Sequence, residues 1–287
     1  MKKKNVISTA ILTIIGIVLS VLFLSPILIL LSNSFKSLKN IYLNVLAFPN
    51  ADTFTLKNYP EAFVKLDFVR SLLNSLGITV ASTILLLLFC SMAAWVLVRH
   101  KTKLSNTIFM IYAAATLIPF QCVMLPLVRL MDTLHMMNRW GLVLMYLGFG
   151  SSLSVILFHG FIKSVPVELE EAARIDGCNM FQTFFLIVLP LLKPIMVTVA
   201  ILNSMWIWND FLLPQLMINK PGWQTLPLKT FLFFGQFSKK WDLATAGLVM
   251  CMLPIIIFYL VSQKHIVKGV ADEGLTVDLF LLQKIVR

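Results

Sequence analysis

Six stretches of this chain stay apolar for about twenty residues or more, and nothing else restricts its fold as tightly. They cover residues 6–31, 72–98, 104–127, 141–162, 190–217 and 243–261. A hydrocarbon core of about 30 Å is crossed by about 20 residues of helix, so each run is long enough to span a bilayer. Lipid offers no hydrogen bonds, and an open sheet edge would leave its backbone N–H and C=O groups bare. The runs therefore predict an all-α, polytopic membrane protein with six transmembrane helices, forming a single transmembrane domain over residues 1–287. The composition agrees, with 59% apolar residues, 13% charged residues and a mean hydropathy of +0.88, far from soluble globular averages.

The net charge of +11 does not point to nucleic acid, because the cations sit at the ends of apolar runs and form no contiguous stripe. Snorkelling and contacts to lipid headgroups account for them. Lys2-Lys3-Lys4, the tight loop Arg99-His100-Lys101-Thr102-Lys103, and Lys264, Lys268, Lys284 and Arg287 in the tail mark the cytoplasmic side by the positive-inside rule. Lys36, Lys39, Lys57 and Lys65 dissent from a long loop, where the rule has less force. An even number of spans with both ends basic predicts N-in, C-in topology. The first run is too long for a signal-peptide core and lacks a small-residue cleavage site, so it reads as a retained helix.

Outside the spans, residues 32–70 carry Tyr59, Phe63 and Leu66 at helical spacing with Pro60 near the start, which fits either a short helix on the outer face or a plain connection. A second outer stretch, 218–242, contains the turn signal Asn219-Lys220-Pro221-Gly222, a place where an outer partner could dock. Cys90, Cys122, Cys178 and Cys251 show no metal or disulfide spacing. His159 and His265 have no second histidine at metal spacing, and we expect no metal site.

Residues 163–189 make the one polar, punctuated interruption between two spans. Ser164-Val165-Pro166 reads as a helix start, a hydroxyl able to cap amides before a proline of preset φ. Glu168, Glu170 and Glu171 follow in the first turns, where the helix dipole favours carboxylates. Gly177 can end the helix in a left-handed conformation. Ala172 and Ala173 would let another surface approach the backbone, and Asp176 could bond a backbone amide or meet a partner's cation. A second run then enters the membrane at Pro190. On these residues alone, a partner-free surface helix is as good a reading as a mechanical attachment point.

Glu171-Ala172-Ala173, Gly177, Ile187 and Leu189-Pro190 match at every defined position the cytoplasmic loop signature of the membrane subunits of ABC importers. The chain resembles that family over most of its length, and the smaller permease subunit of maltose-type carbohydrate importers in particular. Asn74-Ser75-Leu76, Ala93-Ala94-Trp95 through Arg99, Ile118-Pro119 with Leu125-Pro126, Trp208-Asn209-Asp210-Phe211-Leu212-Leu213-Pro214 and Thr225-Leu226-Pro227-Leu228 are similar to that subfamily. The resemblance implies the transmembrane fold of type I ABC importers. It also implies that the loop seats in a cytoplasmic ATPase, with Glu171, Ala172, Ala173, Asp176, Gly177, Leu189 and Pro190 as coupling residues. The implied partners are a second permease in a heterodimer, two ATPase subunits and an extracytoplasmic solute-binding protein, in the cytoplasmic membrane of a prokaryote. The cargo it implies is a carbohydrate of oligosaccharide size, with a non-sugar solute such as a glycerol phosphate as the alternative. No GxxxxGK[ST] phosphate loop is present, so this chain is expected to carry no cofactor and no enzymatic activity, ATP being bound by partner subunits. The tail departs from the pattern after Val270, where Ala271-Asp272-Glu273-Gly274 replaces a small, Gly-rich, Lys-ending stretch.

Three polar residues within apolar runs, Gln121, Asn209 and Asp210, are candidates for lining a pore or gate, in competition with interhelical packing bonds. At 1.5 Å per residue, Asn209 and Asp210 would lie about 30 Å along a straight helix from Pro190. Gly148, Gly150, Ser151, Ser152 and Ser154 read as a close-packing face. Trp206, Trp208 and Phe211 suit either a sugar ring or the membrane interface. An ion-coupled secondary transporter would show internal repeats or mid-membrane carboxylates, and a membrane enzyme a catalytic cluster; the sequence displays neither.

Overall fold

A computed structural model describes residues 2–235 and 239–262, with side chains from residue 10 onward. The tail cations, His265 and the departure after Val270 lie outside the described residues.

The described chain is helical throughout. Its elements are α1 (Lys2–Ser34), α2 (Leu38–Leu43), α3 (Asn58–Lys65), α4 (Phe68–Arg99), α5 (Lys103–Ala115), α6 (Phe120–Thr133), α7 (Arg139–Ile162) and α8 (Glu168–Ile175). There follow α9 (Met180–Gln182), a π-helix (Thr183–Val188), α10 (Leu189–Leu191), α11 (Lys193–Asn209), α12 (Leu212–Ile218), α13 (Leu226–Thr230) and α14 (Trp241–Ser262). Among the described residues the extended pairings are two isolated bridges, Lys36 with Phe54 and Phe234 with Lys239.

Four expected spans are long continuous helices: Ala10–Ser34 within α1, α4, α7 and α14. The other two are not. The run 104–127 is α5 and α6, bent by 105° across a short break. Pro119 is the cause, since it has no N–H to continue α5 and drives the residue before it away from helical φ/ψ; it becomes the N-cap of α6 in extended conformation. The run 190–217 is also corrected. It bends by 77° between Met180–Leu191 and Lys193–Asn209, where Pro194 stands in the first turn of α11. It breaks again at Asp210, which is extended at φ −71°, ψ 133°. Asn209 is therefore not at the end of a straight path from Pro190.

The chain divides into two compact units, residues 1–69 with 226–254 and residues 70–225 with 255–287. In the first unit, the connection between α1 and α4 is built around buried polar groups. Asn58 Nδ2 donates to the carbonyls of Ser34 and Lys36 at 2.9 and 2.8 Å. Lys36 Nζ, almost fully enclosed, donates to Asn33 Oδ1 and Asn44 O at 3.2 Å each. Burial without a carboxylate pushes the Lys36 ammonium below its ordinary pKa. The helix expected around Tyr59 and Phe63 is α3, with Tyr59 Oη 2.8 Å from Ser34 Oγ and its ring 5.3 Å from that of Phe35. Leu66, just past its end, is completely buried.

The second unit is organised on α7, which packs against α5, α11 and α12. Asn138 starts it by accepting from Gly141 N at 3.0 Å, and Gly141 itself must be glycine because a Cβ there would collide with the Met136 carbonyl. Leu86, Tyr146, Phe158, Phe184 and Val188 form its solvent-free centre. In lipid, burial of apolar surface does not drive helices together, and close approach of backbones does. Gly150 supplies that approach: a Cβ there would stand 2.8 Å from both Asn203 Oδ1 on α11 and Leu86 Cδ1 on α4. Ser154 Oγ accepts from Asn203 Nδ2 at 3.0 Å, so the expected packing role of this face holds at these two positions. Gly148, by contrast, has no neighbour within 4 Å.

Candidate functional site

The polar interruption folds as two short helical pieces joined by a glycine turn. Glu168, Glu170 and Glu171 occupy the first turn of α8, as the dipole argument requires. Ser164 does not cap it, contrary to the expectation from sequence. Its hydroxyl donates to Phe161 O at 2.7 Å and so belongs to the end of α7, while α8 begins after Val167. At the other end Gly177 adopts φ +87°. Cys178 N donates to Ala173 O at 2.9 Å and Gly177 N to Arg174 O at 3.1 Å, the double bond pattern of a Schellman stop. Asn179 then starts the next piece with a capping box, exchanging bonds of 2.9 and 2.8 Å with Gln182.

After that start the chain widens into the π-helix, closed by Leu189 N donating to Phe184 O. Pro190 explains it. In an α-helix its ring would strike the carbonyl of Leu186, and one extra residue in the turn moves that carbonyl away. Thr183, Phe184 and Val188 face inward from this stretch, and the Phe184 ring lies 5.4 Å from that of Trp95.

The face of α8 divides sharply. Glu171, Ala172, Asp176 and Gly177 are exposed, Leu189 is half-buried and Pro190 exposed, whereas Ala173 is buried at 5% exposure. The two alanines therefore do different things: Ala173 lets α8 lie close against its own fold, and Ala172 leaves its outer surface open. Beside it Ile175 is 86% exposed, a large apolar side chain offered outward at the end of a charged helix.

What holds this element is a group that sequence reasoning left among the dipole carboxylates. Glu170 is buried at 3% exposure and accepts from Arg99 Nε at 2.8 Å and Trp95 Nε1 at 3.0 Å. Arg99 NH2 is 2.8 Å from the same carboxylate and donates to Val165 O at 3.0 Å. The signal was available in the spacing: Trp95 and Arg99 are four apart on one helix and Glu170 and Ala173 three apart on another, so each pair shares a face.

The three membrane polar candidates are not brought together by any bond among the described residues. Gln121 is exposed in the first turn of α6. Asn209 turns back to Met205 O at 2.7 Å. Asp210 accepts from Tyr146 Oη at 2.9 Å and from Leu212 N at 3.1 Å, tying the start of α12 to α7. Near the far end of α4, Asn74 Nδ2 donates to Gly222 O and Gln224 O at 3.1 and 3.0 Å. Arg139 NH2 donates to the same Gly222 carbonyl at 2.9 Å. The predicted turn is thus present, with Pro221 and Gly222 at its centre, Gly222 at φ +78° and Trp223 N closing on Lys220 O at 3.0 Å.

Residues 86–272, which include the whole of the loop and both bent helix pairs, match the family model of the inner membrane component of binding-protein-dependent transport systems. The chain belongs to that family. As a member of the binding-protein-dependent transport family it is a permease subunit of an ABC importer, a membrane protein that moves solute and is not an enzyme. Family membership brings with it a solute-binding protein and an ATPase as working partners. Among relatives, it is 48% identical over 259 residues to the "probable starch degradation products transport system permease protein AmyC" of Thermoanaerobacterium thermosulfurigenes, covering 90% of this chain and 94% of that one. It is 36% identical to the multiple sugar-binding transport system permease protein MsmG of Streptococcus mutans, covering 88% and 91%. The crystal structure of a bacterial ABC transporter that imports the acidic polysaccharide alginate contains a chain of the same fold, with a TM-score of 0.76 at 22% identity, covering 92% of this chain and 98% of that one.

Proposed function

We propose that this permease carries a carbohydrate, of oligosaccharide size, and that it does so as one half of a heterodimeric pore with a second permease. Each bent helix pair counts as one span, giving six spans with both termini in the cytoplasm, and residues 1–287 act as one permease domain. Two ATPase subunits bind the ATP, and α8 with the glycine turn seats in one of them. The sugar reading is supported by the relatives' names, which carry starch degradation products and multiple sugars. Gln121, Asn209 and Asp210 are assigned to the transport path and its gate; Asp210 is the best placed, since its bonds join two elements.

The observation that carries the coupling assignment is an outward surface of Glu171, Ala172, Ile175, Asp176 and Gly177 on a helix whose inner side is fixed by Glu170 and Arg99. Glu171→Lys reverses charge on that outward surface, and Gly177→Pro cannot adopt the φ of +87°. Either change is expected to abolish uptake and substrate-stimulated ATP hydrolysis by the reconstituted complex while leaving membrane insertion intact. Normal uptake and hydrolysis in both variants would overturn the assignment.

A further inference from the structure

A cavity of about 790 Å³ is lined by Arg99, Lys101, Asn106, Phe109, His159 and Lys163 among others. Three basic side chains, Arg99, Lys101 and Lys163, line it. Arg99 is neutralised by Glu170, but neither Lys101 nor Lys163 has an ion pair among the described residues. The polar lining continues through Thr102, Ser105 and Asn106, and Leu97, Val98 and Val167 add apolar surface. Phe109 and His159 line it as a stacked pair with ring centroids 3.8 Å apart. A lining that combines cations, hydroxyl and amide donors and hydrocarbon matches a phosphate group attached to an apolar or neutral body. The recess is of the size of small-molecule sites.

We propose that this cavity binds a phosphate-bearing anion, in the form of an acidic phospholipid headgroup or a soluble organic phosphate, next to the coupling helix. Its position gives the site a role. Arg99 lines the cavity and also holds Glu170 and the Val165 carbonyl, and Val167 lines it while preceding the first residue of α8. An occupant therefore competes for, or completes, the charge environment of the residue that fixes α8. The regulatory part rests on the coupling role proposed above; the binding part does not.

The test uses the whole importer complex purified in detergent, with Lys101→Gln and Lys163→Gln combined, and Lys39→Gln with Lys57→Gln as a charge-matched control on exposed residues elsewhere. Native mass spectrometry after exposure to phosphatidylglycerol reads bound lipid, and the same measurement with glycerol 3-phosphate reads a soluble phosphate. The cavity variant is expected to retain about tenfold less of one probe than the wild type, two lost cations being involved, while the control is unchanged. Loss confined to phosphatidylglycerol assigns a lipid headgroup, and loss confined to glycerol 3-phosphate assigns a soluble phosphate. Equal retention of both probes by wild type and cavity variant, with the ATPase subunits still associated, overturns the proposal. Association of the ATPase subunits reports on the coupling reading separately, so the two can fail independently.

Discussion

Glu170 shows what a single side chain does here that its neighbours do not. Of the three carboxylates in the first turn of α8 it alone is buried, and it is matched by a guanidinium and an indole N–H. Removing one partner of such a pair leaves an uncompensated charge out of water, so Glu170→Ala is expected to destabilise the complex by about 3 kcal/mol, read as a lower thermal midpoint. Glu170→Gln, which keeps an acceptor for Trp95 Nε1, should lose less. The sequence displays the exposed half of this helix plainly, because the family signature is written on Glu171, Ala172 and Gly177. It hides the buried half, because a carboxylate near a helix start has a sufficient explanation in the dipole and gives no hint of a cation seventy residues away. Lys36 makes the opposite case, a buried cation facing only neutral oxygens. Its pKa is depressed by desolvation from 10.5, so the unfolded chain binds more protons than the folded one between the depressed value and 10.5. Folding is penalised in full below that window and the penalty is relieved as pH rises through it. Stability of the connection between α1 and α4 should therefore increase with pH across that interval, and Lys36→Met should flatten the dependence, as measured by denaturation midpoints at a series of alkaline pH values.

At the scale of elements, the six apolar runs were readable as helices, and four of them are continuous. The bends were not readable from hydropathy, which averages over a window and is blind to a missing N–H. Pro119, Pro190 and Pro194 nonetheless mark the two bends and the widened turn, so that part of the information lay in the prolines, while the break at Asp210 carries no such mark. The small-residue face of α7 was legible as a packing surface in outline, but which glycine is needed depends on what opposes it. Gly150 meets Asn203 and Leu86, and Gly150→Val is expected to cost about 1–3 kcal/mol through overpacking, seen as a lowered unfolding midpoint of the purified complex. The assigned π-helix has a similar lesson: a wide turn followed by Pro190 fixes the rotational setting of Phe184 and Val188, and neither a periodicity count nor a propensity scale contains it.

For the whole molecule, the sequence was most informative about kind and least about cargo. Composition and run lengths led to a helical membrane protein, and the loop signature led to the family; the sugar reading draws on relatives' names. The chain has no phosphate loop for a nucleotide, so the isolated subunit, freed of contaminating ATPases, should show no ATP turnover, and measurable hydrolysis by it alone would contradict the division of labour between subunits.

Helix α4 has 32 residues and is gripped at both ends, by Asn74 on the Gly222 turn and by Arg99 on α8. Those grips are separated by about 38 Å of continuous helix. It is a lever in the mechanical sense: a tilt of about 5° applied at the Arg99 end displaces the Asn74 end by about 3 Å over that length. On the coupling role proposed above, force delivered to the loop would reach the Gly222 turn along one continuous helix.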